Sequence, residues 1–434
     1  MAKTEGPMSG FRDLLAEQMI PRQEVLNIIT SKFELYGFVP LKTPSLELLS
    51  TLDGKYGEEG DKLMYKFVDN GGRNVALRYD QTVPLARVVA QYGDLPKPYK
   101  RYAIGDVWRG ERPQAGRYRE FLQFDADIVG SDSYLADTEI IAMMSDSMTA
   151  LGVKATVRVN DRRILDGLAQ SCGITDKKDF YKLVGSIDKV DKDGFELVIE
   201  EIGSHFGDKA KTLVEKFLSV KGNSKEKLSA IKQLLNNEIT DEAIDNLSKI
   251  LSALFEAGYE DKISFDQTIA RGLNYYTGTI YETTLNEIPQ IGSVCSGGRF
   301  DGLIEQLGGP STPAVGTSVG VDRLMEAMRQ IGALKEIKTK TKVYITNVED
   351  GLDNERFTLA QELRRNNIAT ELVYDSQKLG KQISKISKLG VNEIIILGSK
   401  EIENNNVVVK NLTSGNQTEI NNNMVIESFK NETN

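Results

Sequence analysis

Histidine and cysteine, which often serve as catalytic bases, nucleophiles and zinc ligands, are scarce in this sequence. The 434 residues include one histidine, His205, and two cysteines, Cys172 and Cys295. A Ser-His-Asp or Cys-His triad is hard to place around one histidine in a polar, helical-looking stretch, and a histidine-based metal cluster is excluded. Two cysteines are too few for a disulfide framework or a zinc site. We therefore expect that, if the protein is an enzyme, it needs no side-chain general base and no metal site of its own.

Long apolar runs and an excess of positive charge are missing as well. No run of 18 apolar residues occurs, so no membrane span is predicted. The first residues, MAKTEGPMSGFRDLL, lack the apolar core of a signal peptide. The net charge of −9 excludes a uniformly basic nucleic-acid coat but not a local basic face. Together with the few cysteines, these features favour a cytoplasmic protein that binds no membrane.

The pattern of apolar residues changes along the chain and predicts its organisation. Helix-like and strand-like segments alternate in residues 1–161 and again in residues 259–333. Between them, residues 162–258 lose the strand texture and consist of charged amphipathic helices, which predicts a helical insertion. A charged linker at 334–342 precedes residues 343–434, where strands and helices alternate over a length sufficient for a small α/β domain.

Two polar stretches lie where strands are predicted to end. In WRGERPQAGRYREF (108–121), Arg109 follows an otherwise apolar strand, and an arginine fork at a strand end suits phosphate oxygens better than lysine does. A solvated hairpin tip is the alternative for this stretch. In LRYDQT (77–82), Asp80 and Thr82 end a strand and start a helix. They are predicted to cap that helix, to accept hydrogen bonds from an ammonium group, or to do both.

A third candidate region is RGLNYYTGTIYE (271–282), followed by SGGRFDGL (296–303). Its glycines allow close backbone approach. Tyr275 and Tyr276 point to opposite faces if they lie in a strand, so we expect one in the core and the other beside a pocket. In FLQFDADIV (121–129), apolar and polar residues alternate, which predicts one buried face and one polar face. The polar face carries Gln123, Asp125 and Asp127.

Taken together, these stretches resemble the motifs of histidyl-tRNA synthetases, a family of class II aminoacyl-tRNA synthetases. RGLNYY and GGRFDGL are similar to the two signature stretches of that family, and WRGERPQAGRYREFLQFD resembles the second class II motif. GTSVGVDRL resembles the third motif, with its arginine at Arg323. GFVPLKTPSLE resembles the first motif, which in the family builds a dimer interface around a proline, here Pro44. The resemblance covers nearly the whole chain.

The resemblance implies an α+β fold in two parts. A class II catalytic core, an antiparallel sheet with helices, would comprise residues 1–161 and 259–333, interrupted by the helical insertion at 162–258. After the linker, a C-terminal α/β domain at 343–434 would bind the anticodon of a tRNA. The same resemblance implies a homodimer.

The resemblance also implies a reaction in two steps. The carboxylate of L-histidine attacks the α-phosphorus of ATP and gives histidyl-adenylate and pyrophosphate; histidine then passes to the 3′-terminal adenosine of its tRNA. The nucleophile is ionised at pH 7, so no base is required. Fixed cations and positioning are expected to supply most of the rate, which agrees with the scarcity of histidine. Mg²⁺ is expected to accompany ATP and to bridge its phosphates.

Position by position, the resemblance assigns roles to the motif residues around ATP. Arg109 and Arg271 would grip the α-phosphate and the substrate carboxylate, and they are the expected catalytic residues. Glu111 would meet the adenine amino group, while Arg117 and Arg323 would hold the outer phosphates. The residues expected at the acceptor end of the tRNA are Arg112 and Gln114.

A larger set is implied for histidine itself. The expected histidine-binding residues are Asp80, Gln81, Thr82, Arg109, Gln123, Asp127, Arg271, Tyr275 and Tyr276. Among them, Asp80, Thr82 and Gln123 would contact the ammonium group. Asp127 and Tyr276 would read the imidazole. A pocket that hydrogen-bonds both ring nitrogens rejects isosteres strongly, so we expect no editing domain.

The sequence departs from the family's usual pattern at several of these positions. Asn274 stands where aspartate is common, and Phe300 where tyrosine is common. Asp80 and Asp127 stand where glutamate is frequent, so each side chain is shorter by a methylene. We expect Asn274 to be a structural hydrogen-bonding residue, since an amide keeps both donor and acceptor capacity.

Two kinds of protein with this catalytic fold but no synthetase activity are alternatives. Regulatory subunits of ATP phosphoribosyltransferase sense histidine, but they usually lack the anticodon-binding domain and lose catalytic arginines. Pseudo-synthetase domains that sense uncharged tRNA are normally fused to a kinase, and no kinase motif occurs here. Because Arg109, Arg271, Arg323 and the C-terminal region are all kept, the sequence favours a histidine-specific synthetase.

Overall fold

A computed structural model describes residues 5–270 and 275–431, without the side chains of residues 58, 59, 191, 192 and 431. The predictions for Arg271 and Asn274 therefore lie outside the described residues. The chain forms two compact units, one of Met1–Asp13 and Val25–Leu334 and one of Leu14–Glu24 and Lys335–Asn434. None of the helices in the described ranges is long and apolar enough to cross a membrane.

The first unit contains a large sheet, a small sheet and a group of helices. Its strands are β1 (Val39–Pro40), β2 (Leu46–Leu48), β3 (Lys66–Val68), β4 (Asn74–Leu77), β5 (Tyr99–Trp108), β6 (Glu120–Val129), β7 (Ala155–Asp161), β8 (Ile263–Phe265), β9 (Thr279–Leu285), β10 (Cys295–Arg299) and β11 (Ala314–Gly320). Its helices are α1 (Ala16–Leu35, of which the residues from Val25 onward belong to this unit), α2 (Leu49–Leu52), α3 (Gly57–Leu63), α4 (Thr82–Gln91), α5 (Tyr134–Ala150), α6 (Arg162–Cys172), α7 (Lys177–Ile187), α8 (Val190–Asp193), α9 (Phe195–Leu218), α10 (Ser224–Leu235), α11 (Glu238–Glu256) and α12 (Val321–Gln330).

The large sheet has the strand order β1, β5, β6, β11, β10, β9, β7, β8. Every pair from β5 through β7 is antiparallel. The short edge strands β1 and β8 instead pair in parallel with β5 and β7. The strands β2, β4 and β3 form the small antiparallel sheet. The α+β fold predicted from the sequence is confirmed, with the refinement that the large sheet is antiparallel only between its edges.

Strand β6 has one apolar and one polar face, as its alternating sequence predicts. Phe124, Ala126 and Ile128 belong to the main core, and the ring of Phe33 from α1 meets that of Phe124 at a centroid distance of 4.8 Å. The opposite face carries Gln123, Asp125 and Asp127. These three side chains are buried as well, with exposed fractions of 8%, 1% and 2%. Because burying polar groups is costly unless they are paired, this face indicates a binding site rather than core packing.

Residues 162–258 contain the helices α6 to α11 and no strand, as their charged amphipathic texture predicts. At the start of α6, the carboxylate of Asp161 accepts a hydrogen bond of 2.9 Å from the N–H of Arg163. The helix ends at Gly173, which has the left-handed φ of 82° that favours glycine. Apolar side chains of these helices, including Leu183 and Ile202, share one core with the large sheet.

The second unit is built around a five-stranded sheet. Its elements are β12 (Val343–Ile345), α13 (Asp353–Arg365), β13 (Thr370–Leu372), α14 (Leu379–Lys388), β14 (Glu393–Ile396), α15 (Ser399–Glu403), β15 (Asn406–Asn411), β16 (Gln417–Asn421) and α16 (Val425–Asn431). The strand order is β13, β12, β14, β15, β16, with the first three strands parallel and the last two antiparallel to their neighbours. This is the α/β pattern predicted for the C-terminal part.

Candidate active site

A cavity of about 360 Å³ opens on the polar face of the large sheet. This volume is in the range typical of small-ligand sites. Its walls come from the β4–α4 junction, the hairpin between β5 and β6, residues 275–276, the strands β6, β10 and β11, and the start of α12. Most of the predicted site residues line it, namely Asp80, Thr82, Arg109, Glu111, Arg117, Gln123, Asp127, Tyr275, Tyr276 and Arg323. Stretches far apart in sequence therefore meet in one place.

The remaining predicted residues lie elsewhere. Gln81 is 2% exposed, and its side-chain amide donates to the carbonyls of Ala103 at 3.2 Å and Gln123 at 3.0 Å. Gln81 thus lies outside the cavity lining and its side chain holds α4 against the sheet, while its place beside histidine stays a prediction. Arg112 and Gln114 are exposed on the β5–β6 hairpin, outside the cavity.

Asp80 caps the helix that follows it. Its Oδ1 accepts hydrogen bonds from the N–H groups of Thr82 and Val83, both at 3.1 Å, and from the Tyr56 hydroxyl at 3.0 Å. The Tyr275 hydroxyl donates to Oδ2 at 3.5 Å. Burial raises the pKa of Asp80 above its usual value, while the hydrogen bonds and the nearby Arg109 act in the opposite direction. The capping role predicted from the sequence is confirmed, and the same carboxylate also lines the cavity.

Arg109, directly after β5, lies close to two aromatic rings. Its guanidinium carbon is 4.3 Å from the centre of the Tyr79 ring and 5.2 Å from that of Phe121. The Nε donates to the carbonyl of Tyr79 at 3.2 Å. Because the ring contacts and the hydrogen bond hold the guanidinium in place, its remaining N–H groups are available to an anion in the cavity.

Three further charged residues surround the outer part of the cavity. Arg117 and Glu111 form an ion pair of 2.8 Å between Nε and Oε2 across the β5–β6 hairpin. Arg323, from α12, donates from Nη1 to the carbonyl of Ser293 at 2.9 Å. Burial lowers the pKa of Arg323, and the neighbouring Arg117 lowers it further. Two cations thus face the same space, which favours an anionic occupant.

The N-terminal segment, residues 8–12, holds this outer part together. The guanidinium of Arg12 lies 3.2 Å above the centre of the Tyr118 ring and pairs at 2.5 Å with Oδ1 of Asp322, the residue before Arg323. Oδ2 of Asp322 accepts from the N–H of Leu122 on β6 at 2.9 Å. Arg12 thereby links the β5–β6 hairpin to the start of α12. Sequence analysis missed this residue because nothing near it in the chain marks its partners.

Two glycines make room for side chains that line the cavity. In the strand register Gly316 of β11 faces Asp127 of β6, and a Cβ on Gly316 would lie 1.9 Å from Oδ1 of Asp127. A Cβ on Gly298 of β10 would lie 2.8 Å from the Tyr276 ring. The absence of side chains at these two glycines is what lets Asp127 and Tyr276 take their positions.

The two tyrosines differ in their surroundings. Tyr275 is 7% exposed and belongs to an apolar cluster, where its ring meets that of Phe300 edge-on at a centroid distance of 6.2 Å. Tyr276 packs against that cluster but is less buried. Both rings line the cavity. The sequence prediction of one core tyrosine and one pocket tyrosine is therefore too simple, because Tyr275 serves both.

A buried arginine lies beside two buried carboxylates that line the cavity. Arg101 of β5 is 1% exposed, and its Nη2 pairs with Oδ2 of Asp127 at 2.7 Å. Burial raises the pKa of Asp127 to about 7, with Arg101 lowering it and Asp125 raising it. Burial also raises the pKa of Asp125 to about 6, against the attraction of Arg101. The sequence offered one signal for Arg101, a charge inside a strand-like run, but its partner is set by strand register.

Both parts of the chain match known protein families. Residues 10–324 match the family model "Histidyl-tRNA synthetase", and residues 342–432 match the model "Anticodon binding domain". The histidine–tRNA ligase of Rhodopirellula baltica is 40% identical over 413 residues, which cover 94% of this chain and 93% of the relative. That of Aeropyrum pernix is 40% identical over 403 residues, covering 92% of this chain and 91% of the relative.

Two solved structures of histidyl-tRNA synthetases are also similar to this chain. The histidyl-tRNA synthetase of Nostoc sp. PCC 7120 superposes with a TM-score of 0.88 at 30% identity, and each chain covers 100% of the other. The apo histidyl-tRNA synthetase of S. aureus gives a TM-score of 0.73 at 25% identity and covers 99% of this chain and 100% of its own. Since the family model spans residues 10–324 and the 40%-identical relatives align over more than nine-tenths of both chains, this chain belongs to the histidyl-tRNA synthetase family.

Proposed function

We propose that this chain is a histidine–tRNA ligase. It activates L-histidine with ATP to histidyl-adenylate and pyrophosphate, and it then transfers histidine to the 3′-terminal adenosine of its tRNA. The observation that carries the proposal is the division of charge in one cavity, where Arg109 and Arg323 face the polar strand face of β6 with its two carboxylates. An amino acid beside a polyphosphate needs cations for its carboxylate and for the phosphates, and carboxylates for its ammonium group.

The first step requires cations rather than a base. The histidine carboxylate is ionised at neutral pH, and the barrier lies in bringing it in line with the α-phosphorus of a polyanion. Arg109, fixed by Tyr79 and Phe121, neutralises this negative charge without reorganising during the reaction. Arg271, outside the described residues, is proposed as the second cation at the α-phosphate.

The outer phosphates are proposed to meet Arg117 and Arg323, and the adenine amino group to meet Glu111. Glu111 and Arg117 are paired with each other at 2.8 Å, so this pair must open when ATP enters. Because Arg117 is half exposed, at 51% of its side chain, the pair is weak and opens at little cost. The ATP subsite is thus only partly preformed.

Histidine is proposed to lie across β6. Asp127 and Tyr276 read the imidazole, and Asp80, Thr82 and Gln123 contact the ammonium group. Arg101 holds Asp127 from below, so the carboxylate is fixed before substrate arrives. A site that hydrogen-bonds polar atoms of its ligand discriminates strongly against analogues that lack them, because its own buried groups are then left unpaired.

Magnesium is proposed to enter as part of the Mg–ATP substrate. Among the described residues, no group of three or more histidine, cysteine, aspartate or glutamate side chains could hold a metal ion. This suits Mg²⁺, which keeps several waters and is commonly bound through substrate phosphates rather than by a protein cage. The ion would neutralise phosphate charge beside Arg117 and Arg323.

For the second step, the tRNA is proposed to reach both units. Arg112 and Gln114 on the exposed hairpin would meet the acceptor end, next to the cavity where the adenylate forms. The unit containing residues 342–432 would bind the anticodon. Local arginines can supply phosphate contacts although the net charge of the chain is −9.

The chain is further proposed to act as a homodimer in the cytoplasm. Large apolar side chains are exposed on the small sheet and on strand β1 of the large sheet, including Val39 at 49%, Leu48 at 50% and Val68 at 62%. Pro44 and Leu48 line a separate hollow at this surface. Exposed apolar side chains of this kind are typical of protein–protein contacts, and a second copy of the chain is proposed to cover them. Analytical ultracentrifugation tests it, since a monomer at micromolar concentration contradicts a stable dimer.

One pair of assays tests the ligase reaction. Histidine-dependent exchange of pyrophosphate into ATP reports the first step, and charging of histidine tRNA reports the second. Arg109→Ala is expected to abolish both, while Arg73→Ala, a change in an exposed ion pair outside the cavity, is expected to leave both intact. Histidine binding without exchange in the folded wild-type protein would instead identify a histidine-sensing regulatory subunit.

A further inference from the structure

The residue that begins the helical insertion bonds the main chain on both sides of the stretch that contains Arg271. Arg162 is the first residue of α6, where the chain leaves the large sheet. Its backbone N–H donates to the carbonyl of Gly278 at 2.8 Å, and Nη1 of its side chain donates to the carbonyl of Ala270 at 3.3 Å. The Ala270 carbonyl belongs to the peptide group that joins Ala270 to Arg271. One insertion residue is therefore bonded to the chain directly before Arg271 and again two residues after Tyr276.

The guanidinium of Arg162 is buried and is held from the side of the insertion. Arg162 is 4% exposed, and its guanidinium carbon lies 4.6 Å from the centre of the Phe180 ring and 5.5 Å from that of Tyr181, both on α7. Burial lowers the pKa of Arg162, whereas the nearby carboxylates of Asp166 and Asp188 raise it. Because a buried charge is costly unless it is balanced, these rings and carboxylates keep the guanidinium at a defined place.

The chain that leads towards this point is bonded to the insertion as well. The N–H of Phe265 donates to the hydroxyl of Ser224, the first residue of α10, at 3.0 Å. The side-chain amide of Gln267 donates to the carbonyl of Val220, between α9 and α10, at 2.9 Å. Together with the bond from Arg162, these contacts tie the chain between β8 and the cavity to the insertion at three places.

We infer that Arg162 is a positioning residue for the activation of histidine, because its bond to the Ala270 carbonyl fixes the main chain at Arg271. This inference rests on the proposed function, in which Arg271 is the second cation at the α-phosphate. Arg162 is not among the described residues that line the cavity, so it acts through Arg271 rather than on a substrate. A cation that stabilises a transition state must be held in place beforehand, and a displacement of about 1 Å can cost about 100-fold in rate. The insertion thereby affects catalysis without reaching the cavity.

A double-mutant cycle in pyrophosphate exchange tests the inference. Arg162→Met removes the charge and the N–H donors, and in the wild-type background it is expected to lower kcat by roughly 10- to 100-fold. The KM for ATP is expected to change by less than about threefold, since an interaction that serves the transition state acts on kcat. In an Arg271→Ala background the same substitution is expected to lower kcat by less than about twofold, because the group that Arg162 positions is already absent. Arg162→Lys keeps the charge without the planar fork and is expected to restore part of the rate.

Arg163→Met is the matched control. Arg163 is the next residue of α6, its side chain is 32% exposed, and it pairs with Asp161 at 2.7 Å. Its replacement is expected to lower the stability of the protein while kcat stays within about twofold of the wild-type value. A loss of kcat like that of Arg162→Met, and likewise absent from the Arg271→Ala background, would show that any disturbance of α6 suffices and would overturn the specific role of Arg162.

Two further results overturn the inference. An equal loss in both backgrounds would show that Arg162 supports the fold and does not act through Arg271, and an unchanged kcat in the wild-type background would remove Arg162 from catalysis. If Arg162→Met does not fold, Arg162→Lys is taken through the same cycle, with an expected loss of about three- to tenfold in the wild-type background alone. Wild-type protein without histidine-dependent exchange would show instead that the proposed function itself has failed.

Discussion

Replacing Arg101 by methionine tests the buried charges beside the cavity. Arg101 pairs with Asp127 at 2.7 Å and donates to the carbonyl of Gln81 at 3.1 Å, and methionine keeps much of its volume without its charge. Removing the hydrogen bond costs about 1 kcal/mol at any pH. The effect of removing the charge depends on whether Asp127 is ionised, so the pH dependence separates the two contributions.

The direction in which stability changes with pH follows from the raised pKa of Asp127. Unfolded aspartate has a pKa of about 4, whereas burial raises that of Asp127 to about 7. Between these values the folded protein holds a proton that the unfolded chain has released, so stability falls as the pH rises through this window. Arg101 lowers the pKa of Asp127, and without it the window extends above pH 7. Asp125 responds in the same direction, since Arg101 lowers its pKa too.

The destabilisation caused by Arg101→Met is expected to be larger at pH 8 than at pH 5.5. At pH 5.5 Asp127 is mainly protonated in both proteins, and Arg101→Met costs only the hydrogen bond. At pH 8 the wild type has released the proton, while the variant still holds it, which adds about 1.4 kcal/mol for the one unit between pH 7 and 8. The total destabilisation therefore rises from about 1 kcal/mol at pH 5.5 to about 2.4 kcal/mol at pH 8. Any rise in the pKa of Asp125 adds to the value at pH 8.

Urea unfolding followed by the fluorescence of Trp108 measures this directly. Trp108 is the one tryptophan of the sequence and lies in β5, the same strand as Arg101. Arg73→Met is the control, because Arg73 pairs with Asp69 at the surface and is 70% exposed. The pKa of Asp69 is lowered, so that pair loses its effect only as the pH falls into the acid range. A destabilisation by Arg101→Met that is the same at pH 5.5 and pH 8 would refute the assignment of buried, proton-holding carboxylates.

Three further variants test other parts of the site. Arg12→Ala removes the link between the β5–β6 hairpin and α12. In pyrophosphate exchange it is expected to raise the KM for ATP about tenfold, the equivalent of 1–2 kcal/mol, while the KM for histidine changes little. Arg12→Lys is expected to restore part of the loss. Gly316→Ala is expected to destabilise the protein by about 1–3 kcal/mol and to abolish histidine binding, because the new Cβ would lie 1.9 Å from Oδ1 of Asp127. Normal histidine binding in calorimetry would contradict this close packing of Gly316 against Asp127. Arg112→Ala is expected to lower the rate of tRNA charging but not that of exchange, and equal losses in the two assays would place Arg112 in the first step.

The parts of the site that could be predicted are those that depend on residue type and local pattern. The alternation in FLQFDADIV is enough to put Gln123, Asp125 and Asp127 on one face of β6, because strand geometry fixes that periodicity. The cap at Asp80 follows from its place before a helix. The convergence of the motif arginines on one cavity was implied by a family resemblance rather than by spacing.

What could not be predicted depends on contacts between distant segments. Arg101 meets Asp127 because β5 and β6 pair in a particular register, and a shift of one residue would turn Arg101 to the other face. Arg12 meets Asp322 across 310 positions of sequence. The type of residue at position 81 suited a ligand contact, yet the amide of Gln81 is already bound to two strand carbonyls. Sequence shows which groups are available, but only the folded structure shows which of them are already satisfied.

The charges around the cavity are balanced for the substrate rather than for the empty protein. Three carboxylates, Asp80, Asp125 and Asp127, are buried near two arginines, Arg101 and Arg109, and burial raises the pKa of each carboxyl group. In the free protein burial therefore favours the protonated forms of Asp125 and Asp127. Histidine brings an ammonium group and ring N–H donors to these acceptors and a carboxylate to Arg109, so its binding completes the pairing and should be accompanied by proton release. Isothermal titration in buffers of different ionisation enthalpy measures that release. Because the imidazole of free histidine also titrates near pH 6.5, the wild type is compared with Asp125→Asn, and equal net proton exchange in the two proteins would mean that Asp125 is already ionised in the free protein.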